Sequence, residues 1–458
     1  MPYIDKILKQ SPWLLEAQNI DQDIHLKRLA QFKYIHHEHD FLDHVFEDGV
    51  YIVTGPRQIG KSTHLKMWIR NHINQQNHQN FLYFNCDLLD KKQDIVELVE
   101  EYLEKFPSQA QIPDRKYIFL DEITAVKDSF LAIKYLVDTG YSENISYVLT
   151  GSNTISIRQT GEYLPGRRGK GIDFMFRPLS FRNYVELIKP EFKTEALSQP
   201  ISEKDYLTIK KTLKPAVLLD DFLKTGGFPR VINAYQAEQA LHEDIFLIYR
   251  SWITSEIAKA DKKEFIAKAI LERSLLSLGS EISYNAFAQD TGIGSHNTVY
   301  EYLDFFSNAC ILSSIFHFDI HQKKFNYKKN KKIYFNDPFI YAVIDAWLNA
   351  KPNQNFDYLE NSNVKAQLIE NLVYLFLERT QKNSIGFYKN SYEIDFVSQN
   401  MLVEVKYQNK IISEDFKNLA KIDEYPSKIL ITKNHFEIGK NCLLMPVEYF
   451  LLKEKPVF

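Results

Sequence analysis

The chain has 458 residues, 45% hydrophobic and 25% charged. That length is too great for one ordinary core and the composition excludes a disordered protein, so two or three folded domains are expected. A formal net charge of −3 excludes a global pull toward nucleic acid, and any such binding must come from local basic patches. Cys86, Cys310 and Cys442 form no C-x-x-C pair, which excludes a zinc site or a disulfide framework on spacing and fits a reducing, cytoplasmic setting.

The opening stretch MPYIDKILKQSPWLL has no basic region leading into an apolar run, and no window approaches the roughly 18 apolar residues of a membrane span. Neither export nor a membrane partner is expected. From about Val50 to Phe176 the runs VYIVTG, NFLYFNCD, KYIFLDE, ISYVLTGS and GIDFMF alternate with helical stretches. Such nearly continuous apolar runs suit parallel strands buried on both faces, and hence an α/β sheet. A helical region follows, holding KTGGFPRVINAY (Lys224 to Tyr235) and DIFLIYRSWITSEIA (Asp244 to Ala258). Helices are then predicted over Glu264 to Leu278, Ser283 to Gln289 and Ser295 to Asn308. Ser283 and Ser295 are suitable N-caps, and the TGIG turn between the last two helices suits a helix-turn-helix. ACILSSIFHFD and KKIYFND would form its wing. From Asn363 the pattern reads α-β-β-β-α-β. A helix to Arg379 is periodic in Leu368, Leu372, Leu375 and Phe376; strands fall near 385–388, 392–397 and 402–407; Ser413 caps a helix and SKILITK is the next strand.

Gly55, Gly60, Lys61 and Ser62 satisfy G-x-x-x-x-G-K-[ST] between a predicted strand and the helix-like STHLKMWIR. The loop from Gly55 through Pro56, Arg57, Gln58, Ile59, Gly60, Lys61 and Ser62 to Thr63 is expected to wrap the phosphates of ATP at a helix N-terminus. Lys61 would reach the β- and γ-phosphates and Ser62 would bind Mg²⁺. KYIFLDE ends in Asp121, which would hold the Mg²⁺ shell beside the P-loop, and Glu122, placed to orient and deprotonate the attacking water. The fourth strand ends in TGSN, where Asn153 or Ser152 contacts the γ-phosphate or its water, or the segment is a plain turn. In LPGRRGKG, Arg167 and Arg168 are candidates for a finger stabilising a neighbour's γ-phosphate in a homo-oligomer; a solvated basic loop is the alternative.

In that order GPRQIGKST, FLDEI, TGSN, LPGRR and RPLSF resemble a large group of bacterial and archaeal AAA-type ATPases, near the signal-transduction ATPases with numerous domains. In that group the ATPase core is followed by a domain of unknown function with winged-helix and restriction-endonuclease-like parts. GGFPRV, KKIYFNDP and EIDFV with LVEVKY look like its landmarks, so the resemblance covers most of residues 25–450. It implies ATP binding and hydrolysis, with Gly227 and Pro229 approaching the nucleotide base; without it, that segment reads as a helix-ending turn. The expected organisation is an N-terminal segment 1–24, an ATPase domain 25–200, a helical and winged-helix region 201–345 and a restriction-endonuclease-like domain 346–458.

A restriction-endonuclease-like site would use Asp395 and Glu404 on one face of a hairpin to hold Mg²⁺, Lys406 two residues on, and Glu370 from the preceding helix. An even loop centred on Gln399 and Asn400 sets Asp395 opposite Glu404 and Glu393 opposite Lys406. Opposed like charges on neighbouring strands need an offset, which a divalent metal would supply. The alternative is an amphipathic strand exposing Glu404 and Lys406, and a working nuclease and a binding module both stay open. The predicted recognition helix exposes His296, Asn297, Tyr300, Glu301 and Asp304, and its acids argue against major-groove reading. The connection Lys323 to Lys332 holds six lysines with Phe325 and Tyr327 interleaved; it would grip a DNA backbone or form a solvated loop. The expected function is an ATPase whose nucleotide cycle controls this C-terminal module on DNA. The rival expectation is an ATP-dependent switch for a protein partner with an inactive nuclease-like scaffold.

Overall fold

The computed structural model describes residues 3–107, 115–151, 164–192, 202–350, 356–381, 384–439 and 442–453. The chain forms two compact units, Met1–Arg177 with Asn308–Cys310, and Pro178–Ser307 with Ile311–Phe458. No helix among the described residues is long and apolar enough to cross a membrane.

The first unit is built on strands β1 (Gly49–Thr54), β2 (Phe81–Asn85), β3 (Lys116–Asp121), β4 (Ile145–Gly151) and β5 (Asp173–Met175) in the order β2-β3-β4-β1-β5. Every pairing is parallel. The five apolar runs become the five strands because helices cover both faces, and β4 is buried along its whole length. Strand β4 lies between β1 and β3, so the strand carrying Asp121 is one removed from the P-loop strand and not its neighbour.

The N-terminal segment belongs to this unit and closes the sheet's β2 edge. Ser11 Oγ accepts from Tyr83 N at 2.9 Å and donates to Tyr83 O at 2.7 Å, while Trp13 Nε1 donates to Phe81 O at 2.7 Å. Side-chain groups thus take the place of a further strand on an otherwise open edge. Asp23 caps the helix Ile24–Leu29 and forms a buried ion pair with Lys66 at 2.7 Å.

The second unit begins with helices that include Phe181–Ile188, Pro215–Thr225, Pro229–Glu238 and Glu243–Lys259. Helices Glu264–Leu276, Tyr284–Thr291 and His296–Asn308 follow as the spacing predicts, with Ser283 capping the second and Ser295 Oγ accepting from Asn297 N at the start of the third. Strands β6 (Leu312–Asp319) and β7 (Lys324–Phe335) form the expected antiparallel hairpin. They do not stand apart as a wing. With β8 (Gly386–Lys389), β9 (Glu393–Val397), β10 (Met401–Lys406), β11 (Ser427–Thr432), β12 (Glu437–Ile438) and β13 (Leu443–Pro446) they form one eight-stranded sheet, ordered β12-β13-β11-β10-β9-β8-β6-β7. Its core gathers Phe318, Ile320, Ile394, Leu402, Leu430 and Leu444.

Two local expectations are corrected. The lysine run is not the hairpin connection: Lys324–Lys332 lies within β7 and the turn precedes it. Ser413 opens a short 3-10 turn, and the α-helix there is only Lys417–Ala420.

Candidate nucleotide site and an ion-pair cluster

Strand β1 delivers Gly55 with φ 146°, where a Cβ would lie 2.3 Å from Phe176 O. Gly60 turns into the helix Lys61–His72 at φ 99°, a left-handed angle that favours glycine. The loop thus presents the N-terminal amides of a helix, where helix dipole and unpaired N–H groups favour an anion. Lys61 is 5% exposed and its Nζ donates to Gly55 O at 3.0 Å and Pro56 O at 3.1 Å. Arg57, Gln58, Ile59, Ser62 and Thr63 lie in this loop and the first helical turn. His64 holds the turn: its Nδ1 meets Gly60 O at 2.9 Å and its Nε2 accepts from Glu38 N at 3.3 Å. Burial keeps this imidazole below its ordinary pKa, so it stays neutral, donating through Nδ1.

Asp121 ends β3 fully buried between two hydroxyls. Tyr83 OH donates to Oδ2 at 2.6 Å, and Thr150 Oγ1 donates to Oδ1. The next residue, Glu122, takes a left-handed φ of 51°, and its N–H donates to the same Thr150 Oγ1 at 2.9 Å. One hydroxyl at the end of β4 therefore sets both acids. Burial pushes the Glu122 carboxyl up while Lys61 acts in the opposite sense, which suits a group that must accept a proton. Tyr83 and Thr150 were not singled out from sequence; for Thr150 the available signal was its place near the carboxyl end of a strand, where α/β sheets gather ligand-binding groups, whereas Tyr83 lies in the middle of β2.

The remaining predicted nucleotide residues are placed as follows. Asn153 and Ser152 lie outside the described residues. Arg167 Nε pairs with Asp138 at 2.5 Å, and Arg168 pairs with Asp173 at 2.5 Å and donates to Val50 O at 3.3 Å. Val50 is near the start of β1, roughly 13 Å along the strand from the P-loop end, so both arginines sit at the end of the sheet away from this chain's own loop. Gly227 and Pro229 lie in the second unit. Gly227 N donates to Asp337 Oδ2 at 2.7 Å, its carbonyl accepts from Leu179 N at 2.8 Å, and Pro229 opens the helix Pro229–Glu238.

In the second unit, β9 and β10 pair through Leu402↔Val397 and Val403↔Phe396, the register that puts Asp395 opposite Glu404. The ladder stops there. Asp395 N donates to Glu404 Oε2 at 3.3 Å and Val405 N to Asp395 Oδ2 at 3.0 Å, so the two carboxylates satisfy backbone amides that the splayed strands leave unpaired. Lys406 pairs with Glu404 at 2.6 Å. Glu393 does not serve Lys406 as the register suggested; it pairs with Lys332 and Lys389, each at 2.9 Å.

The centre of the cluster is Lys332, a residue the sequence left between a nucleic-acid contact and a solvated loop. Its Nζ lies 2.9 Å from Asp395 Oδ1, 2.9 Å from Glu393 Oε1 and 3.5 Å from Glu370 Oε1, and its side chain is 1% exposed. Lys331 is buried as well, so neither belongs to an exposed basic surface. Tyr334 OH adds a bond to Glu370 Oε1 at 2.7 Å. Burial pushes the Glu370 carboxyl up to about 7 and the Glu404 carboxyl up to about 8. For Asp395 burial acts upward, but Lys332 and then Lys406 outweigh it and hold the group below its ordinary value. Among the described residues no group of three or more His, Cys, Asp or Glu is arranged to hold a metal ion.

The strand order, the glycine-shaped loop and the Asp121–Glu122 pair define a P-loop nucleotide-binding domain, and residues 47–185 match the family described as an AAA domain. The first unit thus carries an AAA-type ATPase domain. Residues 217–353 match a domain of unknown function. An uncharacterized protein of Methanocaldococcus jannaschii is 26% identical over 373 residues, spanning 78% of this chain and 74% of its own. Among solved structures, the Aeropyrum pernix ORC2 protein in ADPNP–ADP complexes is similar at 13% identity and TM-score 0.36, over 73% of this chain and 93% of that one. The Aeropyrum pernix ORC1 protein, solved in complex with DNA, gives 11% and 0.32 over 73% and 96%. A Thermotoga maritima RuvB variant gives 17% and 0.29 over 68% and 88%. TM-scores of this size define no common whole-chain architecture.

Proposed function

We propose that the first unit hydrolyses ATP with Mg²⁺ and that this cycle controls the second unit's action on DNA. The observation that carries the ATPase part is the Thr150 hydroxyl, bonded at once to Asp121 and to the Glu122 amide. It sets an acid suited to the Mg²⁺ shell and an acid suited to the attacking water side by side. Ser62 and Asp121 would hold the ion, Lys61 the β- and γ-phosphates, and Glu122 would take the proton. Asn153 at the γ-phosphate and Arg167 or Arg168 acting on a neighbouring copy in a homo-oligomer complete the reading. For DNA, the support is the exposed part of the lysine run, Lys323, Lys324 and Lys328 with exposed Tyr327, a composition suited to a phosphate backbone and stacked bases.

A second reading, a nucleotide-dependent switch for a protein partner with the nuclease-like fold as scaffold, is favoured by the position of Lys332 among the acids. The test is ATP turnover of three chains with and without DNA. Lys61→Ala should lose nucleotide binding, whereas Glu122→Gln should keep binding and lose hydrolysis. DNA should stimulate the parent with a steep salt dependence. Normal turnover by Glu122→Gln overturns the assignment of Glu122 as the base, and absence of turnover in the parent overturns the ATPase reading; turnover indifferent to DNA overturns the first reading in favour of the second.

A further inference from the structure

A restriction-endonuclease-like resemblance implies Mg²⁺ at Asp395 and Glu404. The donor set does not fit it. Asp395 and Glu370 already share a cation, Lys332 Nζ, which touches Asp395, Glu393 and Glu370, while Glu404 is paired with Lys406. We infer that the ammonium of Lys332 stands in for the divalent cation, making this cluster a metal-independent hub that ties β7 to β9 and to the helix Ser362–Gln381, and not a phosphodiester-cleaving centre.

Three observations converge on this. First, Lys332 is not a surface residue that has drifted inward. Its backbone is locked in the β6–β7 ladder opposite Ile315, its side chain is 1% exposed, and its ammonium stands 5.8 Å from the Phe387 ring centroid. A buried ammonium needs fixed negative partners, and the acids are where it needs them. Second, most of the charge is met without a metal. Glu370, Glu393, Asp395 and Glu404 are met by Lys332, Lys389 and Lys406, four carboxylates against three ammoniums. A divalent ion would enter a cluster in which each of these acids already has a lysine partner, and would have to expel the ammonium first. Third, oxygens on all three acids already accept hydrogen bonds. Val405 N, Asp395 N, Tyr334 OH and Lys406 Nζ all bond to the oxygens that a metal would require.

The inference does not depend on the ATPase reading, and its test uses the full chain without nucleotide, so that the P-loop takes no part. Thermal melting is followed in EDTA and in millimolar MnCl₂, with bound Mn²⁺ counted by electron paramagnetic resonance. The parent should melt at the same temperature in both and bind no Mn²⁺ that Asp395→Asn removes. Lys332→Met should melt several degrees lower in EDTA and recover part of that loss in MnCl₂, because the vacated acids then converge on the ion. Asp395→Asn in the same chain should erase the recovery. The inference is overturned if the parent binds Mn²⁺ and Asp395→Asn abolishes it, if the parent cleaves DNA with Mn²⁺ in a way Asp395→Asn abolishes, or if Lys332→Met melts like the parent in EDTA. Should Lys332→Met fail to fold, the comparison of the parent with Asp395→Asn and Glu404→Gln still decides: equal Mn²⁺ counts support the hub, and a count lost in both variants refutes it.

Discussion

Thr150→Val is the substitution that isolates the hinge of the nucleotide site. The side chain is 1% exposed and valine reproduces its shape, so packing is kept while the hydroxyl is lost. Two hydrogen bonds go: one to the Asp121 carboxylate and one from the Glu122 amide. A bond to a charged group contributes about 1.5–3 kcal/mol and a neutral one about 0.5–1.5, so the nucleotide-free chain should lose about 2–4.5 kcal/mol. For a unit of this size that corresponds to a fall of about 4–18 °C in its melting transition. The kinetic effect follows a different route. Glu122 in its left-handed turn is released, and each 1.4 kcal/mol of lost positioning lowers turnover about tenfold, so kcat should fall at least tenfold. Tyr83→Phe is the comparator, since it removes the second donor to Asp121 and the Tyr83 bond with the Ser62 side chain but leaves the Glu122 amide bonded to Thr150. It should destabilise by about 1.5–3 kcal/mol and reduce kcat less, because the Glu122 amide is still held. Calorimetry and a coupled ATPase assay read both effects. Turnover of Thr150→Val within twofold of the parent would refute the reasoning, as would a larger kcat loss in Tyr83→Phe.

Three further outcomes are expected. Asp395→Asn should destabilise the metal-free chain, because it takes a carboxylate from a buried ammonium. The cost should fall near the low end of the 3–5 kcal/mol typical of a broken buried pair, since Glu393 and Glu370 remain, and the second unit should melt about 6 °C or more lower. Removing a like-charge neighbour without Lys332 predicts no loss, so urea denaturation separates the two accounts. The raised carboxyls of Glu370, at about 7, and Glu404, at about 8, keep protons in the folded chain that the unfolded chain releases near 4.5. Their contribution is full below that value and is lost as pH rises through about 8; Glu404→Gln should flatten the slope of stability against pH by up to about 1.4 kcal/mol per unit, measured by urea titrations from pH 5 to 8. If Arg167 or Arg168 acts on a neighbour, turnover per chain should rise with protein concentration, and an arginine variant should be partly rescued by Glu122→Gln chains; turnover independent of concentration down to monomer would remove the finger.

What the sequence by itself determined was local or periodic. Five apolar runs became five parallel strands, because a strand buried on both faces has no polar side to write. The P-loop spacing and the Asp121–Glu122 pair are contiguous signals and were legible for that reason, as was the register that opposes Asp395 and Glu404 across a short loop. Contacts between distant segments were not legible. Nothing near Asp121 in the chain announces that Tyr83 and Thr150 will hold its two oxygens; the parallel sheet brings them to it from 38 and 29 residues away. The lysine run misled in the same way. Charge composition reads as solvated surface by default, and only the pairing of β6 with β8 carries β7 into the same sheet as β9. That places Lys332, 63 residues from Asp395 in sequence, at 2.9 Å from it. The sequence supplied three acids of a metal site, and tertiary structure put an ammonium against two of them.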